Sequence, residues 1–225
     1  MTITVKRRAK RPLKSPRKPP KGREATQSPA PSLGRGDWIE VARKEFIAGG
    51  VDAVKVGRLA RRLRVTRGSF YWHFTSREDL LQGLLSAWEL SSITAFERSL
   101  LDEGGRSGPR EFLTFARLWV KETDFVPAYD TAVRDWARIS KAAAAAVRRV
   151  DQRRIEILHR IFRDLGFDEP EALVRARISY FHQVGYYAVD LPENRQRRLA
   201  LVPMYLQVLS GLPMELIVAE LGVET

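Results

Sequence analysis

The residues best suited to contact a polyanion lie in one short segment. Residues 65–74 read Val-Thr-Arg-Gly-Ser-Phe-Tyr-Trp-His-Phe. Thr66 can cap the start of a helix, where exposed backbone N–H groups favour a phosphate. Arg67 can donate two parallel bonds to a guanine edge or pair with a phosphate. Gly68 removes a side chain that would otherwise clash with DNA, so the segment predicts a helix that enters the major groove.

In the second half of the segment, side chains with polar ends are interleaved with large aromatic side chains. Tyr71 and His73 can place polar atoms on phosphates, and Ser69 is short enough to reach a base or a phosphate. His73 could equally lock the helix that follows. The ring of Trp72 could face either way, and its neighbours favour a partly exposed, DNA-facing position. The residues expected in the core are Phe70 and Phe74.

Helical periodicity on both sides of the segment predicts the elements that position it. One helix is expected from Asp37, its cap, to the glycine pair at 49–50. A second covers 56–63 and a third runs from Thr66 to about 74. Ser76 is expected to cap a fourth helix that reaches about residue 101. On the second helix, Lys55 and Arg58 suit phosphate contacts, with a plain solvated face as the alternative.

The remainder of the chain continues the helical pattern and gives little strand signal. Helices are expected near 109–124, 127–140, 142–165, 170–191 and 195–210. The fold class predicted is therefore all-α, with an N-terminal three-helix helix-turn-helix unit and a C-terminal helical unit. The boundaries expected are 1–33, 34–80 and 81–225.

Charge is concentrated at the N-terminus. The net charge of the 225 residues is +12, and residues 1–33 hold ten Lys or Arg against one acid. This segment also contains six of the twelve prolines, and it is expected to be disordered because it cannot bury enough apolar surface. It could be an arm that follows DNA phosphates or a solvated tail.

Composition argues against several other classes of protein. The chain has no cysteine and three histidines, without the spacing of a helical metal site, so neither a metal nor a cofactor is expected. No phosphate-binding glycine loop or Gly-x-Ser-x-Gly elbow is present, which argues against an enzyme. Without an apolar run long enough to span a bilayer or a secretory signal, a cytoplasmic protein with no membrane partner is expected.

The order and spacing of the residues from Phe46 to residue 80 resemble those of the DNA-binding domain of the TetR/AcrR family of bacterial regulators. Two positions depart from the family pattern. Arg64 stands where the family usually has glycine in the turn, and Arg77 stands where it usually has lysine, so Arg77 is also expected to meet a phosphate. The resemblance rests on Phe46, Gly50, Val56, Leu59, Ala60, the segment 65–74 and the segment 76–80.

The resemblance implies a transcriptional regulator, expected to be a repressor released by a small-molecule ligand. It implies a homodimer, joined through the helices near 170–191 and 195–210, on a near-palindromic double-stranded operator. The two recognition helices would then lie about 34–36 Å apart, or a multiple of that distance. The residues that make plausible dimer stripes are Leu173, Tyr180, Val184, Leu199, Val202, Leu206 and Leu209; they could instead pack only against their own subunit.

An aromatic set in the C-terminal helices could line the pocket of the small-molecule effector, although such stripes are more often ordinary core. The residues expected at this pocket are Trp119, Trp136, Phe181 and His182. A different class of function stays open, namely a non-specific polyanion-binding protein that acts through the basic N-terminal tail.

Overall fold

The computed structural model describes residues 33–101, 108–122, 125–189 and 192–221. Within these ranges every regular element is a helix, which confirms the all-α prediction. The basic tail, residues 1–33, lies outside the described part apart from Leu33. The helices are α1 Arg35–Ala53, α2 Val56–Leu63, α3 Arg67–Phe70, α4 Arg77–Leu101, α5 Gly108–Lys121, α6 Pro127–Ala137, α7 Lys141–Asp164, α8 Glu169–Val189, α9 Arg195–Ser210 and α10 Met214–Leu221.

Helix α1 begins two residues before the predicted cap. Gly34 is the N-cap, and its backbone N–H donates to the Asp37 carboxylate at 2.7 Å. Asp37 thus stabilises the helix start from inside the first turn, where the helix dipole favours an acid. The glycine pair interrupts the regular helix as expected, because both glycines are non-helical and Gly50 takes φ 68°; a short helical stretch then continues to Ala53.

The turn between α2 and α3 is tight. Arg64 adopts the left-handed conformation, with φ 58° and ψ 38°. Its backbone N–H reaches back to the Arg61 carbonyl at 3.2 Å, which closes the end of α2. For a residue with a side chain this conformation costs roughly 1–2 kcal/mol. Regular helix in α3 ends at Phe70, four residues earlier than expected, and turns follow to His73.

The first core lies where α1, α2, α3 and the start of α4 meet. Ser76 caps α4 as predicted, because its hydroxyl accepts from the Asp79 N–H at 3.1 Å. Apolar side chains at helical spacing on each element fill the space between them. The fully buried members are Trp38, Phe46, Leu59, Phe70, Leu80 and Leu84.

The second core surrounds α7, which packs against α4, α5, α6 and α8. Helix α5 ends at Lys121, three residues earlier than expected, because Glu122 takes φ 53° and stops the helix. Pro203 lies inside α9, and α10 was not predicted because eight residues give too short a periodic signal. The apolar centre of this core includes Phe112, Phe115, Leu158, Ile161, Phe162 and Ala176.

Helix α6 connects the two cores. Its Tyr129 donates a hydrogen bond to the Leu84 carbonyl at 2.8 Å, and Phe46 of α1 packs edge-on against Tyr129 and Trp136. On the opposite side, Arg134 of α6 pairs with Asp151 of α7 at 2.6 Å. A shift of α6 would therefore disturb contacts with both cores.

Candidate nucleic-acid interface and internal cavity

The aromatic rings at 70 and 74 anchor residues 65–74, called the recognition segment below. Phe70 and Phe74 are buried, as expected from the sequence, and their rings stack at a centroid distance of 5.2 Å. Phe70 also meets Trp38 of α1 edge-on at 5.3 Å. This packing fixes which side of the segment faces outward.

The outward side carries the residues predicted to meet DNA. Tyr71 is 64% exposed and Trp72 is 88% exposed, which is unusual for rings of this size. Thr66 occupies the N-cap of α3, but its hydroxyl accepts no backbone hydrogen bond and is not the cap that the sequence suggested. The neighbouring positions follow the same face, with Arg67 and Gly68 exposed and Ser69 and His73 half-buried.

Cations on α2 extend this face. Lys55 is exposed at the N-cap of α2. Arg58 is also exposed, but it donates to the buried carboxylate of Glu45 at 3.1 Å, and Arg62 pairs with the same carboxylate at 2.7 Å. The guanidinium of Arg67 lies directly over Gly57, where an added methyl group would come within 2.6 Å of it. The face therefore carries several cations, two of which share a single carboxylate.

Arg77 lies differently from the expectation of a phosphate contact. Its guanidinium donates to the Val54 carbonyl at 2.7 Å and to the Val51 carbonyl at 2.5 Å. These carbonyls belong to the end of α1, whose last turn leaves acceptors without helical partners. The geometry makes Arg77 a clamp between α1 and α4.

Arg35 is a positioning residue that the sequence did not single out. It donates to the His73 carbonyl at 2.6 Å and to Asp79 at 2.8 Å, and it covers the Phe74 ring at 4.0 Å. The hydrogen bond from Arg35, with that from the Thr75 N–H, lowers the pKa of Asp79. Arg35 thus ties the end of the recognition segment to α1 and α4. Its only signal in the sequence was a cation one turn before Trp38.

A cavity lies between α5, α8 and α9 in the second core. It encloses about 630 Å³ of empty space, including its opening to solvent. Of the four residues expected at a pocket, Trp119 and His182 line it. Trp136 instead packs on Phe46, and Phe181 is 59% exposed on the outer side of α8. Residue type alone could not separate the inner from the outer face of α8.

Polar groups in the cavity wall fall into two kinds. Arg198 at one side is already matched, since it pairs with Glu122 and also donates to the Tyr187 hydroxyl at 3.0 Å. Burial, and to a lesser degree Arg198, lowers the pKa of His182. The second kind has no hydrogen-bond partner within the described residues: the indole N–H of Trp119, the hydroxyl of Ser179 and the amide nitrogen of Gln183.

The outer faces of α8 and α9 carry an exposed apolar surface. Of the seven stripe residues expected from the sequence, Tyr180, Val202 and Leu206 are buried within their own chain, and the other four are half-buried. The exposed set follows the other side of the same helices at three- to four-residue spacing. Its members, called the outer stripe below, are Val174, Ile178, Phe181, Val189, Leu201, Met204 and Val208.

Neither the first nor the second core offers a membrane-crossing element. Within the described ranges, no helix is both long enough and apolar enough to cross a bilayer.

Comparison with known proteins finds similar sequences for the part of the chain that carries the recognition segment. Residues 39–84 match the family model described as bacterial regulatory proteins, tetR family. The HTH-type transcriptional regulator AcrR of Shigella flexneri is 37% identical over 62 residues, which cover 28% of this chain and 27% of AcrR. TtgR of Pseudomonas putida, another HTH-type transcriptional regulator, is 38% identical over 53 residues, covering 24% and 25%. These matches span about a quarter of the length of either relative.

Solved structures resemble the chain over most of its length. A TetR/AcrR-family regulator from Thermobifida fusca superposes with a TM-score of 0.60 at 17% identity, covering 80% of this chain and 98% of that one. FadR of Bacillus subtilis, solved with stearoyl-CoA, gives a TM-score of 0.55 at 15% identity, covering 79% and 99%. At these identities the likeness establishes the fold. The motif on residues 39–84 and the shared all-helical fold thus make the chain similar to transcriptional regulators of the TetR/AcrR family.

Proposed function

We propose that the protein is a sequence-specific DNA-binding transcriptional repressor that a small molecule releases from its operator. The observation that carries this proposal is the recognition segment, whose rings at 70 and 74 are buried while Tyr71 and Trp72 stand in solvent. Two adjacent large rings in solvent form an exposed apolar patch, and such patches commonly mark a binding surface. A DNA major groove is a partner of the right width for a helix.

The proposed contacts divide into positioning and reading. Lys55, Thr66 and Tyr71 are proposed to contact phosphates, and such contacts fix the register of a protein on the duplex. Arg67 is the residue proposed to read a base, because a guanidinium can pair with the two acceptors of guanine. The remaining proposed contacts are Arg58, Gly68, Ser69, Trp72 and His73.

We propose that the active species is a homodimer that forms through α8 and α9. The outer stripe supports this, because exposed apolar residues at helical spacing need a covering surface. A second copy of the chain brings an identical stripe, and two helices from each copy can form a four-helix bundle. Two recognition segments related by a twofold axis then fit a near-palindromic operator.

Release by a ligand is proposed to act through α6 and α8. Ser179 and Gln183 of the cavity flank Tyr180 on α8. Tyr180 donates to Asp151 at 2.6 Å, and the same carboxylate holds Arg134 of α6. Since α6 packs against Phe46 of α1, a displaced α8 would change the position of the DNA-binding unit.

The DNA proposal is tested by selection of fragments from a genomic pool at moderate salt, followed by gel-shift titration. Arg67→Ala and Tyr71→Ala should each weaken binding to the selected site by about 1–3 kcal/mol without unfolding the protein. Arg138→Ala is the matched control, because this exposed arginine lies at the end of α6, away from the recognition segment. Wild-type affinity in both test variants would refute the assignment.

The alternative, a non-specific polyanion binder that uses the tail, makes the opposite prediction for a truncated chain. Removal of residues 1–33 should leave the preference for the selected site intact while overall affinity falls. A tail-only binder would lose its affinity on truncation and would show no preferred site before it.

A further inference from the structure

We propose that the cavity between α5, α8 and α9 takes an uncharged aromatic molecule that carries hydrogen-bond-accepting oxygens, such as an aryl ketone. This inference rests on the proposed ligand-released function and names the chemical class of its ligand. It is drawn from three side chains that line the cavity and are each more than nine-tenths buried: Trp119, Ser179 and Gln183.

The chemistry of the unpartnered atoms determines which polar group the ligand must bring. The indole N–H of Trp119 and the amide N–H groups of Gln183 can only donate, and the Ser179 hydroxyl can donate as well. None of the three atoms has a hydrogen-bond partner within the described residues. Buried donors without acceptors are unfavourable, so a ligand oxygen that accepts from them would gain affinity from groups the fold leaves unpaired.

The three donor residues come from two of the helices that line the cavity. Ser179 and Gln183 are one turn apart on α8, so their side chains share a face, while Trp119 belongs to α5. A planar molecule between the two helices could accept from both sides. The remaining wall is largely aromatic and aliphatic, with Phe115, Tyr186 and Tyr205 among its members, and suits a ring.

Charge at the cavity argues against an anionic ligand. The single arginine in the wall, Arg198, is already paired with Glu122 and stacked over Tyr186 at 4.5 Å. Burial lowers the pKa of His182, the other basic group of the wall. A carboxylate or a phosphate would therefore enter an apolar site without an uncommitted positive charge, which is unfavourable.

The experiment uses three probes with the same ring system and the full-length protein without DNA. They are 2-acetylnaphthalene, which is neutral and accepts hydrogen bonds, 2-ethylnaphthalene, which cannot accept them, and 2-naphthoate, which is charged. Isothermal titration calorimetry should give the tightest binding for the acetyl compound, by about three- to tenfold over the ethyl compound. Binding of 2-naphthoate should be weaker than that of either neutral probe.

Variants of the wall residues test whether the difference in affinity between the acetyl and ethyl compounds arises from the donors in the cavity wall. Gln183→Leu and Ser179→Ala should each reduce the advantage of the acetyl over the ethyl compound while leaving ethyl binding nearly unchanged. The control is Gln152→Leu, the same exchange at an exposed position of α7, which should alter neither affinity. Equal losses for both probes in the cavity variants would mean that the residues only shape the wall, and would overturn the proposed donor role.

Other outcomes separate this inference from the function on which it rests. Preference for 2-naphthoate, or binding of none of the probes at millimolar concentration, would overturn the ligand class. Stearoyl-CoA is titrated in parallel, and if it alone binds and releases the selected DNA, ligand release would stand while the proposed class would fall. If the acetyl compound binds as expected but releases no DNA, the ligand class would stand and the release mechanism would fall.

Discussion

Phe70 and Trp72 are two aromatic residues two positions apart, and the structure predicts opposite consequences for their replacement by alanine. Phe70 is fully buried against Trp38 and Phe74, so Phe70→Ala removes a packed ring and leaves a cavity. Such a change costs roughly 3–5 kcal/mol. The free energy of unfolding of a typical protein is about 5–15 kcal/mol, so this loss would be a large fraction of it.

Trp72→Ala removes a ring that is 88% exposed, and surface changes of this kind alter stability by no more than about 0.5 kcal/mol. Urea unfolding followed by circular dichroism, with hydrogen exchange of residues 38–80, measures both effects. The Trp72 variant should fold normally and bind the selected DNA at least about fivefold more weakly, about 1 kcal/mol. Similar destabilisation by the two variants, or undiminished DNA binding by the Trp72 variant, would refute the orientation of the segment.

Further predictions concern the clamp, the outer stripe and the cavity histidine. Arg77→Ala should lower the free energy of unfolding by about 1.5–3 kcal/mol, because two charge-assisted bonds to α1 carbonyls are lost; chemical denaturation measures this. Phe181→Glu should shift the protein from dimer to monomer in analytical ultracentrifugation, whereas Ile139→Glu, at an exposed residue outside α8 and α9, should not. Burial lowers the pKa of His182 below its ordinary 6.5, so stability should fall as the pH drops below about 6.5, where the unfolded chain binds the proton first. His182→Gln should flatten this slope in pH-dependent denaturation.

The parts of the fold that follow local rules could be predicted from the sequence. The Ser76 cap, the proline at the start of α6 and the inward rings at 70 and 74 depend on spacing within one or two turns. Helix boundaries that depend on backbone conformation at a single residue were less accurate. Glu122 ends α5 by adopting a left-handed conformation, which its residue type does not predict.

Side-chain roles that depend on distant partners could not be predicted. Arg77 is 23 residues from Val54 in the chain, and Arg35 is 38 residues from His73, yet each pair forms a hydrogen bond. From the sequence alone, a cation beside a DNA-binding motif is expected to contact a phosphate. Its carbonyl partner is distant in the sequence and is seen only in the structure. For the same reason, the sequence identified the aromatic content of the C-terminal helices but not which side of α8 each ring occupies.

The carboxylate of Glu45 limits how strongly salt should weaken binding to DNA. Each phosphate that the protein neutralises releases condensed counterions, so affinity falls with salt concentration in proportion to the number of neutralised phosphates. Arg58 and Arg62 share one buried acid and together present a net charge of one rather than two. The ionic-strength dependence should therefore be shallower than a count of surface cations suggests, and Glu45→Gln should steepen it.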